Sequence, residues 1–292
     1  MLPDFIIVGA SRSGTTTLWH YLKNHPQVFM PEKKELRFFE QDDYFLQGQT
    51  FYESYFKNSE MHKVRGEASP PYFEAGITKR KNNVYRFDSS NDVPFRIQKM
   101  LPDVKIIITL RSPITRTFSQ FVKNLRQGKE KYYSLKKAIK AELNGERSYL
   151  NDHTSWIYKN TYSIHLKRWF DLFPKENILV LIFENWKKNP ETALQKISDF
   201  LEVDKTRFSA PELDVVKNKN REPKLLWLHR LQTKYFGKSL LGKLIYRINQ
   251  KDSNTSLSQD EFTMLRDIFT EDIEKVAQML GEDLSIWYER KN

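Results

Sequence analysis

Phe5-Ile6-Ile7-Val8-Gly9-Ala10-Ser11-Arg12-Ser13-Gly14-Thr15-Thr16-Thr17-Leu18 is the stretch that decides the fold. Four apolar residues in a row, with no polar break, read as a strand buried on both faces. Gly9 and Gly14 then bracket a loop. From Thr15 to Lys23 the apolar positions suit a helix, which His25-Pro26 ends. In a strand, glycine loop and helix placed in that order, backbone N–H groups and the positive helix end converge on one point, a ready site for an anion. An ordinary strand-to-helix turn, with the hydroxyls serving as N-caps, is the plainer reading of the same residues, and the two roles are compatible.

Working outward, Lys105-Ile106-Ile107-Ile108-Thr109-Leu110 is a second buried-strand run. Arg111-Ser112-Pro113 follows it, then a helical pattern from about Ile114 to Arg126. Ile178 to Phe183 is a third run, followed by a helical stretch from Pro190 to Leu201. Wholly apolar strands alternating with helices predict an α/β fold, a P-loop-like three-layer sandwich whose central parallel sheet is flanked by helices. Segment 40–100, rich in Tyr, Phe, Asn and Asp, yields no clear assignment. Without repeats, Gly/Ser linkers or low-complexity tracts, residues 1–292 are expected to form one domain with a basic helical C-terminal region at about 217–251.

The glycine spacing of the loop equals that of a nucleoside-triphosphate loop, but the rest departs from it. The position after Gly14, where such loops carry lysine, is Thr15, and the cation instead precedes Gly14, at Arg12. The 105–110 strand ends in Arg111 rather than a magnesium-binding aspartate. Both differences disfavour a kinase and suit an anion bound without metal.

Composition narrows the classes further. The 292 residues carry 48 Lys+Arg against 37 Asp+Glu, a net charge of +11, which points to an anionic partner. Ten Lys or Arg and a single acidic residue, Glu222, lie between Lys217 and Lys251, so this segment holds nine of the eleven net charges. Interleaved Leu, Trp, Tyr and Ile make it a pair of basic amphipathic helices broken near Gly237. Three readings stay open: helices packed on the core with a solvated cationic face, a cationic wall for an anionic ligand, or peripheral contact with an anionic membrane surface. Nucleic acid is not expected as a partner, for want of a recognition motif. The absence of cysteine rules out a disulfide scaffold, a thiol nucleophile and a thiolate metal site, and suits a cytoplasmic home. Neither a signal-peptide pattern nor an apolar run long enough to span a bilayer is visible. The six histidines have no zinc spacing, and no nucleophile elbow supports a Ser/His/Asp hydrolase.

Several ordered motifs together resemble one family. Ser11-Arg12-Ser13-Gly14-Thr15-Thr16-Thr17-Leu18 resembles the 5′-phosphosulfate loop of sulfotransferases that use 3′-phosphoadenosine 5′-phosphosulfate (PAPS). His25-Pro26 and Lys34-Glu35-Leu36-Arg37-Phe38-Phe39 are similar to segments of the carbohydrate, heparan-sulfate-type branch, as is Glu67-Ala68-Ser69-Pro70-Pro71-Tyr72-Phe73. Arg111-Ser112-Pro113 through Ser119 resembles the 3′-phosphate motif. The likeness extends to Leu201 and returns near Leu280 to Trp287. It departs in three places: the loop lysine is Arg12, Ala68 stands where a cation is frequent, and the C-terminal disulfide of Golgi members has no counterpart.

The resemblance implies a soluble PAPS-dependent enzyme without metal, sulfating a carbohydrate or glycolipid hydroxyl, less readily an amine, by in-line displacement. Glu35 would be the base, its pKa raised by burial in a cleft, and Arg12 would assist the leaving oxygen. Arg12, Ser13, Gly14, Thr15, Thr16 and Thr17 would cradle the 5′-phosphosulfate, and Arg111 with Ser119 would hold the 3′-phosphate. Lys217, Lys219 and Arg221 are candidates to close over the nucleotide, while Arg116 reads equally as structural. Sulfation of a small alcohol or secondary metabolite is the alternative activity. A nucleotide- or nucleic-acid-binding module is the alternative class.

Overall fold

The computed structural model describes the chain except residues 75–76, 82–83, 88–91, 147–154, 209–220, 224, 226–227, 229–230, 237–238, 253–255 and 291–292. Its elements run β1 (Phe5–Gly9), α1 (Thr15–Lys23), β2 (Val28–Phe29), α2 (Asp42–Phe45), α3 (Gly48–Glu53), β3 (Val64–Ala68), β4 (Ile77–Lys81), β5 (Val84–Phe87) and α4 (Val93–Met100). They continue with β6 (Lys105–Leu110), α5 (Pro113–Arg126), α6 (Leu135–Leu143), α7 (Trp156–Asn160), α8 (Tyr162–Leu172), β7 (Ile178–Ile182), α9 (Phe183–Lys188) and α10 (Pro190–Leu201). After β8 (Arg221–Pro223) come the helix Leu240–Ile248, β9 (Gln250–Asp252) and the helix Gln259–Leu280.

The chain divides into two compact units. The first comprises residues 1–112, 162–215 and 272–286. Its centre is a five-stranded sheet in the order β2-β3-β1-β6-β7, parallel at every pairing. Phe5 to Val8, and Ile106 to Ile108, are all fully buried, so both faces of the sheet are covered. On one face Phe5, Ile7 and Ile107 pack with Leu18, Trp19 and Leu22 of α1 and with Ala193, Leu194, Ile197 and Leu201 of α10. This is the expected P-loop-like α/β arrangement. The chain builds β2 and β3 on one side of β1 and then crosses to β6 on the other. Such a reversal opens a crevice at the carboxyl ends of the strands, where ligands of open α/β sheets bind. The loop after β1, Ser69 after β3 and Arg111 after β6 all lie at carboxyl ends.

The second unit comprises residues 113–161, 216–271 and 287–292. In it the Glu142 carboxylate accepts the Trp156 and Ile157 amides at 2.7 and 3.0 Å and so caps α7. Arg116, fully buried, donates to the Lys159 carbonyl at 2.6 Å and to Asn160 Oδ1 at 3.0 Å, which gives it a structural role. Of the three readings left open for the segment 217–251, packing on the core does not describe the helix Leu240–Ile248. Its apolar residues do not pack inward, for Leu240, Leu241, Leu244 and Ile248 are all exposed. Periodicity defines an apolar stripe without saying which way the stripe faces.

Candidate active site

The loop after β1 is shaped from behind. Ala10 N donates to the Thr109 carbonyl at 2.8 Å. The Thr109 hydroxyl donates to the Ser13 carbonyl at 2.9 Å and accepts the Trp186 indole N–H at 2.9 Å. Gly14, at the N-cap of α1, has φ of +83°, and a Cβ built there would lie 2.2 Å from Trp186 Cζ2. Both backbone and space therefore require glycine. Arg12 also lies in the left-handed region, at φ +71°, unusual for a residue with a side chain.

What the loop leaves open defines its chemistry. The N-cap of α1 is Gly14, and among the described residues no side-chain hydrogen bond caps it. The Ser13 hydroxyl is fully buried and has no hydrogen-bond partner among the described residues. An unmet buried hydroxyl costs about 1–3 kcal/mol. A plain strand-to-helix turn accounts for Gly14 but not for this hydroxyl, whereas an oxyanion in the cradle would satisfy it together with the uncapped helix end.

Cations border the loop. Arg111, half-buried at the exit of β6, donates from Nη1 to the Arg12 carbonyl at 3.4 Å, and its guanidinium lies 5.4 Å from the Phe183 ring centre. The Arg111 carbonyl in turn accepts the Tyr162 hydroxyl at 2.8 Å. Lys34, which the sequence reading did not assign, donates from Nζ to Thr16 Oγ1 at 3.1 Å and to Glu35 Oε1 at 3.3 Å. It links the candidate base to the first turn of α1. Its sequence signals were adjacency to Glu35 and its place at the head of the Lys34–Phe39 motif, neither of which assigned it a role, and the first also fits a solvated charge run.

Glu35 itself departs from expectation. Its side chain is 47% exposed, so it is not the buried carboxylate that the sequence reading required. It is held instead by Lys34 and by its backbone, at φ +60°, with Arg37 beside it at φ +57°. Two left-handed residues with side chains in one short loop store strain, and the surrounding structure must over-determine them. Ala68 O accepts the Glu35 amide at 3.0 Å, Ser69 Oγ accepts the Arg37 amide at 3.2 Å, and the Tyr72 hydroxyl accepts the Phe39 amide at 3.2 Å. Three alternate amides are thus fastened to the segment that leaves β3.

Beneath that segment lies Glu67, which is 1% exposed. It accepts the Tyr52 and Ser69 hydroxyls, each at 2.7 Å. Burial pushes its carboxyl up to about 7, against the pull of the bonds from Tyr52, Ser69 and Tyr72. The same burial, reinforced by the Glu67 charge, raises the Tyr52 and Tyr72 phenols well above their usual range. Glu67 therefore supports the loop that carries Glu35 through two intervening hydroxyls.

Thr15 is buried, Thr16 exposed and Thr17 half-buried, all on the first turn of α1. Ser119 is half-buried on α5, in the second unit. Lys217 and Lys219 lie outside the described residues, and Arg221 is described by its backbone alone, in β8. Among the described residues no cluster of three or more His, Asp or Glu could hold a metal ion.

Known proteins resemble this chain. A membrane-associated sulfotransferase of Dictyostelium discoideum, kil1, is 25% identical over 282 residues, covering 69% of this chain and 56% of that protein. Heparan sulfate glucosamine 3-O-sulfotransferase 5 of Homo sapiens is 29% identical over 202 residues, covering 69% of this chain and 54% of that protein. The chain thus spans about half the length of these curated relatives. A solved sulfotransferase from Alicyclobacillus acidocaldarius shares the fold, with a TM-score of 0.69 over 99% of this chain and 100% of that one, at 22% identity. The model of the sulfotransferase family matches residues 3–207, a span that includes the glycine loop, Lys34, Glu35, the Glu67 cluster and Arg111. By that match, over more than two thirds of its length, the chain belongs to the sulfotransferase family.

Proposed function

We propose that the chain transfers a sulfuryl group from PAPS to a hydroxyl, less readily an amine, of a carbohydrate acceptor. The observation that carries this reading is the buried, unpartnered Ser13 hydroxyl inside an uncapped glycine loop bordered by Arg111 and Lys34. This donor set fits a phosphosulfate, which brings oxyanions and needs no metal carboxylates. Arg12, Ser13, Gly14, Thr15, Thr16 and Thr17 would hold the 5′ end of the donor. Arg111 and Ser119 would hold its 3′-phosphate, with Lys217, Lys219 and Arg221 closing over it.

The donor supplies an activated sulfuryl group on a bridging oxygen, and the chain supplies placement and charge. Glu35 takes the proton of the acceptor hydroxyl as the oxygen attacks, and Lys34 orients the carboxylate. Arg12 keeps its proton and stabilises the charge that builds on the leaving oxygen. The exposure of Glu35 favours a bulky acceptor over an enclosed small alcohol. The relatives named for heparan sulfate support a carbohydrate. One catalytic domain over residues 1–292 and a reducing, cytoplasmic setting complete the proposal.

Thermal denaturation with ligands tests it. Adenosine 3′,5′-bisphosphate should raise Tm by mass action, and ATP with Mg²⁺ should do so far less. Equal responses would reject the proposal. Transfer of labelled sulfate to oligosaccharide, lipid-linked and small-alcohol acceptors then identifies the acceptor class.

A further inference from the structure

The helix Leu240–Ile248 faces the wrong way for a core helix. Leu240 is 86% exposed, Leu241 52%, Leu244 54% and Ile248 64%, whereas Gly242 and Asn249 are buried. At about 100° per residue, these four aliphatic residues share one arc of roughly 100°, Gly242 and Asn249 lie opposite, and Tyr246, also exposed, lies off the arc. Single exposed leucines need no explanation, but a continuous outward stripe does. The helix is also preformed. Ser239 Oγ accepts the Gly242 amide at 3.1 Å, and the Asn249 side chain exchanges two 2.8 Å bonds with the Leu225 backbone.

The charge around the stripe selects its occupant. Lys243 and Arg247 belong to this helix and Lys238 and Lys251 flank it in the sequence, within the segment of ten cations and one carboxylate. A second copy would bring the same cationic segment against itself, which opposes association. An anionic bilayer satisfies both features, with the apolar stripe at the headgroup–acyl boundary and the cations at lipid phosphates. At about 13 Å the helix is too short to cross a bilayer, so it would lie in the interface plane.

We propose that the helix Leu240–Ile248 docks this chain peripherally on an anionic lipid bilayer. The proposal does not depend on the identity of the acceptor or donor. Co-sedimentation of the full chain with phosphatidylcholine vesicles, with or without phosphatidylglycerol, tests it. We expect binding to the phosphatidylglycerol vesicles that weakens with salt. The double variant Leu240→Glu/Leu244→Glu should lose roughly tenfold or more in affinity, and Arg247→Glu about fivefold at low salt. Tm should stay at the wild-type value in both. If the double variant fails to fold, Leu244→Ser alone serves, with several-fold weaker binding expected. Three results each overturn the proposal: no binding to phosphatidylglycerol vesicles at low salt, undiminished binding by the leucine variants, or a wild-type dimer in light scattering that those variants dissociate.

Discussion

Replacing Glu67 by Gln gives a measurable stability signature, because burial carries the titration of this carboxyl up to neutral pH. Its folded-state pKa is about 7, against 4.5 for the free side chain. Between those values the folded chain keeps a proton that the unfolded chain releases, so stability falls as pH rises. The Glu67 contribution is fully present below the unfolded pKa and is lost as pH passes the folded one. At about 1.4 kcal/mol per pH unit, the loss between pH 5 and pH 8 is about 2–3 kcal/mol. Glutamine keeps the shape and removes the titration. The amide opposes the Tyr52 and Ser69 hydroxyls differently, which costs about 1 kcal/mol at every pH and leaves the slope untouched. Asp92 and Asp272, also raised by burial, add the same slope to both proteins and cancel in the difference. Urea unfolding of both proteins at pH 5, 6, 7 and 8 measures it. The wild type should lose about 2–3 kcal/mol relative to Glu67→Gln across that range. Parallel pH profiles would refute the reasoning and show that Glu67 does not titrate near neutrality in the folded state.

Other variants separate the parts of the site. Glu35→Gln should lower kcat by about a hundredfold or more while leaving the Tm shift with adenosine 3′,5′-bisphosphate intact, as steady-state kinetics and thermal denaturation will show. Lys34→Ala should raise KM for the donor by about tenfold through the lost cation at Thr16 and lower kcat through a looser Glu35, whereas a purely surface lysine would change neither. Gly14→Ala places a Cβ 2.2 Å from Trp186 Cζ2 at a left-handed φ, so urea unfolding should show a loss of about 2 kcal/mol or more, with donor binding lost in isothermal titration.

The strands that proved legible in the sequence are those that need only apolar side chains: β1, β6 and β7 lie where continuous runs of Ile, Leu and Val put them. Strand β3 was not legible, because Val64-Arg65-Gly66-Glu67-Ala68 carries two charges. Glu67 can be buried there only because Tyr52 of α3 and Ser69 supply hydroxyls, a tertiary fact that local pattern does not contain. Strand β2 is two residues long, too short for periodicity. Within the site, Gly14 and Ser13 followed from the strand–loop–helix order, and Glu35 from its motif. The exposure of Glu35 and its bond to Lys34 depend on left-handed backbone that the sequence does not announce. At the C-terminal end, the amphipathic pattern was visible while its outward orientation was not.

The Trp186–Thr109–Ser13 relay has a consequence for timing. Its three groups bond among themselves behind the glycine loop, and the ring of Trp186 fills the space over Gly14, so the cradle holds its form without help from anything bound in it. Little ordering is then left to be done when an oxyanion arrives, and little must be undone when it leaves. Stopped-flow binding of adenosine 3′,5′-bisphosphate should accordingly show one phase, its rate rising in proportion to concentration. Trp186→Phe, which removes the indole donor, should add a second, concentration-independent phase.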